Sequence, residues 1–115
     1  MQSVNILAAI LIATMPLAAS AGEALTQGQM SRQIIGKELT ATRKGVNIRL
    51  RYLPDGEVTL KMLVLSFSGT WDFEGDSICM TMVGGPRKGR NCVTFTALGG
   101  NEFLNSEGLV MSVQN

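Results

Sequence analysis

Two tight turns, each flanked by alternating apolar and polar residues, constrain this chain more than any other feature. In the first, Pro54-Asp55-Gly56, the proline presets φ, the aspartate hydrogen-bonds locally and the glycine supplies a positive φ. The second, Gly75-Asp76, fits a two-residue hairpin loop. Because strand side chains alternate between two faces, such turns set which residues oppose one another. The sequence therefore predicts a protein built from β-hairpins.

Folding the chain at the first turn places four pairs of apolar residues on one face. The predicted pairs are Tyr52–Val58, Leu50–Leu60, Ile48–Met62 and Val46–Val64. A slip of one residue would set each of them against a polar partner, so the register of this hairpin is strongly specified.

Folding at the second turn, and pairing Cys79 with Cys92, produces a second consistent pattern. The apolar side chains fall on one face, and we predict that they form the core, which includes Trp71, Phe73, Ile78, Met80 and Phe95. The two cysteines fall on the other face, directly opposite each other, where their Cβ atoms are close enough for a disulfide. A zinc or other metal site is not predicted, because the spacing is wrong and the chain has no histidine.

A short helix precedes the strands. It is predicted within residues 24–36, where Thr26 and Gln29 form a capping box and Gly36 suits a left-handed C-terminal end. Further turns at 98–101 and 105–108 bring the number of strands to about seven. The predicted fold is mainly β: an antiparallel up-and-down meander, or a small lipocalin-like barrel or half-barrel, with the helix over an open end or edge.

The first residues predict export. An apolar run from Ile6 to Met15 is followed by Pro16 and by Ala19-Ser20-Ala21, a small-x-small cleavage site. The run is shorter than the roughly 20 residues of a membrane-spanning helix. We therefore predict a cleaved signal peptide at 1–21, a single β-rich domain at 22–115, and a periplasmic or secreted protein with one disulfide.

Composition excludes several classes of function. Without histidine, the chain lacks the most common general base and activator of nucleophiles. Ten basic and nine acidic residues nearly balance, which predicts no general affinity for nucleic acid or membrane surfaces. Asp72, Glu74 and Asp76 are the candidates for carboxylate acid–base chemistry, and we interpret them as a solvated acidic edge. The sequence thus favours a non-enzymatic protein without a cofactor.

Two groups of basic residues are candidates for a site that binds anions or a partner. The glycine-rich loop 84–90 carries Arg87, Lys88 and Arg90, whose guanidinium forks and neighbouring amides suit a phosphate, a sulfate or an acidic surface. The alternative is an ordinary solvated loop. The second group lies on the outer face of the first hairpin and comprises Arg49, Arg51 and Lys61. Arg49 opposes Lys61, so we expect compensation by Glu38, by another acid of the sheet or by a partner.

Three methionines are predicted to face the interior: Met62, Met80 and Met82. Methionine fills irregular core space, and it also lines cavities that take apolar ligands. Core packing and an apolar ligand cavity are therefore both open, whereas copper is disfavoured because no histidine accompanies the thioethers.

The order of the turn and core motifs resembles that of small secreted alpha-proteobacterial proteins of an uncharacterised family. The motifs are Leu25-Thr26, Ile35-Gly36-Lys37, Tyr52-Leu53-Pro54-Asp55-Gly56, Gly69-Thr70-Trp71, Gly75-Asp76, Cys79 and Cys92. This resemblance implies the fold and secretion but no catalytic residue. More loosely, Gly69-Thr70-Trp71 is similar to the Gly-x-Trp of periplasmic metalloprotease inhibitors. Their inhibitory segment is the mature N-terminus, here Gly22-Glu23-Ala24-Leu25.

Together these features predict an exported, non-enzymatic binding or interaction protein of the bacterial envelope. Its expected partner is an unknown envelope protein or a small ligand. A periplasmic protease inhibitor and a lipocalin-like carrier of a small apolar ligand are the alternatives.

Overall fold

A computed structural model describes residues 22–114, so the predicted signal peptide at 1–21 lies outside the described residues. One helix and nine strands make up the described chain. They are α1 (Gln27–Gln33), β1 (Glu38–Arg43), β2 (Val46–Tyr52), β3 (Glu57–Met62), β4 (Leu65–Glu74), β5 (Ser77–Met82), β6 (Gly89–Val93), β7 (Phe95–Gly99), β8 (Glu102–Asn105) and β9 (Val110–Gln114).

The strands form one antiparallel sheet in the order β6-β5-β4-β3-β2-β1-β9-β8-β7, curled into a half-barrel. This confirms the predicted mainly β meander. The two outermost strands, β6 and β7, are consecutive in the chain and are separated by Thr94 alone. The sheet therefore curls until its two edge strands come together, joined in the chain by one residue. We call the boundary between these two edges the seam.

The predicted register of the first hairpin is confirmed for three of its four pairs: Tyr52–Val58, Leu50–Leu60 and Ile48–Met62. The fourth pair, Val46–Val64, is wrong. The chain already reverses at Leu63-Val64, so Val64 is 96% exposed and Val46 pairs with Arg43 instead. Three connections that were not predicted, at Lys44-Gly45, at Leu63-Val64 and at Thr94 between β6 and β7, account for nine strands where about seven were predicted.

The register around the second turn is as predicted. Phe73 opposes Ile78, and Cys79 opposes Cys92, with which it forms the predicted disulfide across a Cα–Cα distance of 3.9 Å. Gly75 has a φ of +61°, the left-handed conformation that the turn requires. The disulfide joins β5 to the edge strand β6 from the outer face of the sheet.

The inner face of the sheet carries the hydrophobic core. Ile78, Met80 and Phe95 are buried there, and Trp71 and Phe73 are half-buried and pack against it. Trp71 makes edge-to-face contacts with Tyr52 and Phe73, at ring-centroid distances of 6.0 and 5.1 Å. Its indole Nε1 donates a hydrogen bond of 2.7 Å to the carbonyl oxygen of Leu53, which satisfies its polar atom.

The helix lies across one end of the half-barrel. It begins with the predicted capping box of Thr26 and Gln29 and buries Met30 in the core. At its start, the Gln27 side chain donates a hydrogen bond to the Gly75 carbonyl oxygen in the β4–β5 turn (2.6 Å). After its end, the Gly36 amide donates to the Tyr52 carbonyl oxygen at the end of β2 (2.7 Å). These contacts attach the helix to the neighbouring turns. The helix does not cover the opposite end of the half-barrel, which we call the uncovered end.

The helix is shorter than the predicted stretch, because the residues before Thr26 pair with the sheet instead. Ala24 forms an antiparallel bridge with Thr96, and the Leu25 amide donates to the Phe95 carbonyl oxygen at 2.7 Å. This segment occupies the free edge of β7 and satisfies part of its backbone. Within residues 22–114, no helix has the length and apolar character needed to cross a membrane.

Candidate ligand cavity

An apolar cavity of about 490 Å³ opens on the inner face of the half-barrel, away from the helix. Its walls come from β2, β3, β5, β6, β8 and β9, and its rim comes from the end of β1 and from the turns at the uncovered end and along the seam. The lining residues are Arg43, Lys44, Val46, Ile48, Leu50, Tyr52, Leu60, Met62, Met80, Pro86, Arg87, Val93, Asn105, Glu107, Leu109 and Met111.

Strand β2 forms one complete wall of the cavity. Val46, Ile48, Leu50 and Tyr52 alternate along the strand, so all four side chains share its inner face. Six residues separate the first from the last, which corresponds to about 20 Å of strand. Val46 and Ile48 are half-buried, whereas Tyr52 is only 2% exposed. The cavity is therefore an elongated trough that deepens from the β1–β2 turn towards Tyr52.

Tyr52 contributes a buried polar group to the trough. Burial raises the pKa of its hydroxyl above the ordinary value, with the Arg87 charge acting to lower it and the Glu107 charge to raise it. Within residues 22–114, the structure shows no hydrogen-bond partner for this hydroxyl. A neutral phenol that is buried without a protein partner is costly, and it is available to donate a hydrogen bond to a bound molecule.

Asn105 contributes a second buried polar group, at 7% exposure. Its Oδ1 accepts hydrogen bonds of 2.9 Å from the amides of Glu107 and Leu109, which shapes the β8–β9 turn. These two bonds identify the opposite atom of the amide as Nδ2. Among the described residues Nδ2 has no acceptor, so a second donor remains unused at the wall of the trough.

The seam beside these two donors is closed by polar contacts. Arg87, in the β5–β6 loop, pairs with Glu107, in the β8–β9 turn, at 2.7 Å. Next to them, the Ser106 amide donates to the Thr94 carbonyl oxygen (2.9 Å), and the Thr94 amide donates to the Ser106 hydroxyl (3.0 Å). The seam therefore joins the two edges of the sheet through side chains and turns, and loosening it would widen the trough.

The predicted basic site in loop 84–90 does not form a single cluster. Arg87 is engaged with Glu107, whereas Arg90 points to the outer face and bonds Asp72 and Glu74, each at 3.0 Å. Lys88 is exposed. Two of the three cations of this loop, Arg87 and Arg90, therefore form ion pairs within the protein.

The second predicted group remains on the outer face of the first hairpin. Arg49 directly opposes Lys61, as predicted, and Arg51 lies opposite Glu38 on β1 in the pairing of β1 with β2. In the described part of the chain, none of these cations lies within ion-pair distance of a carboxylate. Glu38 therefore does not neutralise Arg49 and Lys61, and the repulsion between these two cations stays uncompensated within the sheet.

The acidic edge offers no buried acid–base pair. Arg90 bridges the exposed Asp72 and Glu74, and Asp76 accepts a 3.2 Å hydrogen bond from the backbone amide of Gln27. The Glu74 carboxylate also lies close to the sulfurs of Cys79 and Cys92. Those sulfurs are joined in a disulfide and are not available as thiolate ligands.

The sequence left core packing and an apolar cavity open for three inward-facing methionines: Met62 and Met80 line the cavity, whereas Met82 is buried in the core. It did not single out Tyr52 or Asn105 as site residues. Tyr52 sits in register with apolar neighbours and therefore counts as core, and Asn105 sits at a turn where asparagine is expected in any case. Only the three-dimensional position of their spare donors distinguishes them.

Comparisons with protein families, with curated proteins and with solved structures find no match to this chain.

Proposed function

We propose that this chain is an exported, non-enzymatic binding protein that holds a small amphiphilic ligand in the trough of its half-barrel. The observation that carries the proposal is the apolar cavity of about 490 Å³ with two buried, unused hydrogen-bond donors in its wall. Ligand sites of small molecules have volumes of about 300–1,000 Å³, apolar walls and a few polar groups that orient the ligand.

The lining suits a flexible aliphatic body. Six of the sixteen lining residues are branched aliphatic, and Met62, Met80 and Met111 add apolar side chains that adapt to different shapes. An elongated trough about 20 Å in length along the strand favours a chain-like ligand over a compact ring system.

The two donors favour a ligand with a hydrogen-bond acceptor, such as a carboxylate or a carbonyl oxygen. The Tyr52 hydroxyl is protonated at neutral pH, as an ordinary tyrosine is, and burial raises its pKa further; the Asn105 Nδ2 is a permanent donor. Arg87 lines the same cavity, although Glu107 neutralises most of its charge. An acceptor bound beside either group would satisfy a donor that is otherwise unused.

The position of the N-terminal segment weighs against the protease-inhibitor alternative. Ala24 bridges β7, and Leu25 is buried in the core. An inhibitory segment has to extend into the cleft of the protease, and here only Gly22 and Glu23 precede the paired residues of the predicted mature chain. The carrier alternative does not require a free N-terminal segment.

The proposed export rests on the predicted signal peptide and on the disulfide. Cys79 and Cys92 are bonded to each other, and disulfides persist mainly in oxidising compartments. The disulfide also holds edge strand β6, which carries the cavity residue Val93, against β5. Oxidation thus stabilises one side of the trough.

Titration with a dansyl-labelled fatty acid, followed by its fluorescence, tests the proposal. Saturable binding at one molecule per chain is expected, because the trough is a single site. Met62→Glu, which places a carboxylate in the apolar wall, should weaken binding by at least about tenfold. Leu98→Glu is the matched control, because Leu98 is half-exposed on β7 and outside the lining. Absence of binding by the unaltered protein, or equal binding by both variants, would refute the proposal.

A further inference from the structure

The hairpin tip between β3 and β4 is unusual because it exposes consecutive apolar side chains. Leu63 is 78% exposed, Val64 is 96% exposed and Leu65 is 52% exposed. We call these three residues the apolar tip. Hairpin turns normally use glycine, asparagine or aspartate, whereas Leu63 is held at a φ of +55°, a conformation that disfavours leucine. Folding alone therefore does not account for leucine at this position.

The apolar tip is surrounded by unpaired positive charge. A surface groove lined by Arg49 and Lys61 runs directly to the three tip residues. The β1–β2 turn, which contributes Arg43 and Lys44 to the rim of the cavity, shares this end of the half-barrel. Within the described chain, no ion pair involves any of these four cations.

The charges of the chain are segregated, although their sum is close to zero. The two segments 39–54 and 58–71 form most of the first two hairpins and contain no acidic residue. Their cations are Arg43, Lys44, Arg49, Arg51 and Lys61. The acids nearest to them in sequence, Glu38, Asp55 and Glu57, lie at the end of the sheet that the helix covers. The uncovered end is therefore locally basic, which net charge alone does not reveal.

From this arrangement we infer that the uncovered end docks on an anionic lipid bilayer, with the apolar tip inserted at the interface and the flanking cations on the lipid phosphates. Apolar residues that enter the headgroup region and lysine or arginine residues around them are the combination by which peripheral proteins bind anionic membranes. Val83, in the β5–β6 loop at the same end of the sheet, is a further exposed apolar residue.

This surface goes beyond ligand binding in the trough, and the apolar tip, Arg49 and Lys61, on which it mainly rests, do not line the trough. The β1–β2 turn takes part in both, since Arg43 and Lys44 line the cavity mouth. A bilayer docked there would face the opening of the trough. Docking and ligand binding remain separable, because the tip residues do not line the cavity.

Co-sedimentation with vesicles tests the inference. The full mature protein should sediment with phosphatidylglycerol–phosphatidylcholine vesicles at low salt and far less with pure phosphatidylcholine vesicles. Binding should fall as salt rises, because screening weakens attraction between exposed charges. The double variant Leu63→Gly, Val64→Asn should lose at least about tenfold in partitioning, because it removes two apolar side chains from the interface.

This variant keeps the experiment interpretable, because glycine accepts the positive φ that leucine resists and the Gly-Asn pair suits a hairpin turn. Its stability should equal or exceed that of the unaltered protein. Arg49→Gln with Lys61→Gln should weaken vesicle binding by about fivefold for each charge removed. Arg32→Gln, on the helix at the other end of the half-barrel, is the charge control and should leave vesicle binding unchanged.

Three results would overturn the inference. The first is failure of the unaltered protein to bind anionic vesicles at low salt, and the second is equal binding by the tip variant and the unaltered protein. The third is a dimer in size-exclusion chromatography that the tip variant abolishes, with no vesicle binding, which would show that the tip contacts a second copy of the chain. Loss of dansyl fatty-acid binding with intact vesicle binding would instead contradict only the proposed ligand function.

Discussion

Replacing Tyr52 with phenylalanine should stabilise the ligand-free protein and weaken ligand binding at the same time. The substitution removes only the hydroxyl, which is buried and has no protein partner among residues 22–114. An unsatisfied buried polar group costs about 1–3 kcal/mol, and water that enters the trough would recover part of this. We therefore expect Tyr52→Phe to raise the free energy of unfolding by about 1 kcal/mol in urea titrations of the delipidated protein.

Ligand affinity should change in the opposite direction. Loss of one donated hydrogen bond of about 1–1.5 kcal/mol should weaken dansyl fatty-acid binding by about fivefold to tenfold. A neutral naphthyl probe, which presents no carboxylate to the hydroxyl, should bind both forms equally.

Trp71→Phe is the matched control, because it also removes an aromatic polar atom, but one that is bonded to the Leu53 carbonyl oxygen. It should destabilise the protein by about 1–3 kcal/mol, since it removes the shorter of the two hydrogen bonds to that carbonyl oxygen, leaving only the one from the Gly56 amide, and opens a space beside it. If Tyr52→Phe instead destabilises the protein by more than about 1 kcal/mol, the hydroxyl has a structural partner and the reasoning fails.

Three further predictions concern stability. Above about pH 10, the ordinary pKa of tyrosine, the unfolded chain loses the Tyr52 proton while the folded chain keeps it, so the free energy of unfolding should be constant below that pH and fall above it by up to about 1.4 kcal/mol per pH unit. Ultraviolet absorbance of the single tyrosine should show ionisation only on unfolding, and ionisation in the folded state near pH 10 would contradict this. Replacing both Cys79 and Cys92 with serine should cost about 3 kcal/mol in urea unfolding, because the bond closes a short loop, and a cost below about 1 kcal/mol would show that the disulfide contributes little. Gly69→Ala should cost about 1–3 kcal/mol in thermal or urea unfolding, because the Cβ of the alanine would collide with the Thr81 carbonyl oxygen. The control Gly84→Ala, with open space around it, should be nearly neutral, and equal effects of the two variants would refute the close approach of the strands.

The turn residues made the local part of the fold predictable. Pro54-Asp55-Gly56 and Gly75-Asp76 set the registers of their hairpins, and the opposed positions of Cys79 and Cys92 followed from the second of these registers. Each of these inferences uses residues that are close in sequence, where side-chain alternation leaves few alternatives.

The Leu63-Val64 turn could not be predicted, because its residues carry no turn signal. Pairing of β3 with β4 imposes a positive φ on Leu63, against its own preference. The sequence pattern therefore extended β3 through Val64 and paired that residue with Val46, which the structure contradicts.

The trough depends on long-range geometry that no local pattern encodes. It exists because the sheet curls until β6 and β7 meet at Thr94, which brings Arg87 beside Glu107. For the same reason the loop that carries Arg87, Lys88 and Arg90 could be recognised as basic but not as part of a seam. The spare donors of Tyr52 and Asn105 become meaningful only after the hydrogen-bond partners of their neighbours are known.

Native mass spectrometry of the protein, isolated from cells or medium without detergent, tests the central claim most directly. The account predicts a non-covalent adduct with the mass of one small amphiphile on the unaltered chain, and none on Met62→Glu, whose carboxylate occupies the apolar wall. Leu98→Glu should retain the adduct. A bare protein mass for the unaltered chain, or an adduct that Met62→Glu retains in full, would contradict the claim that the trough is a ligand site.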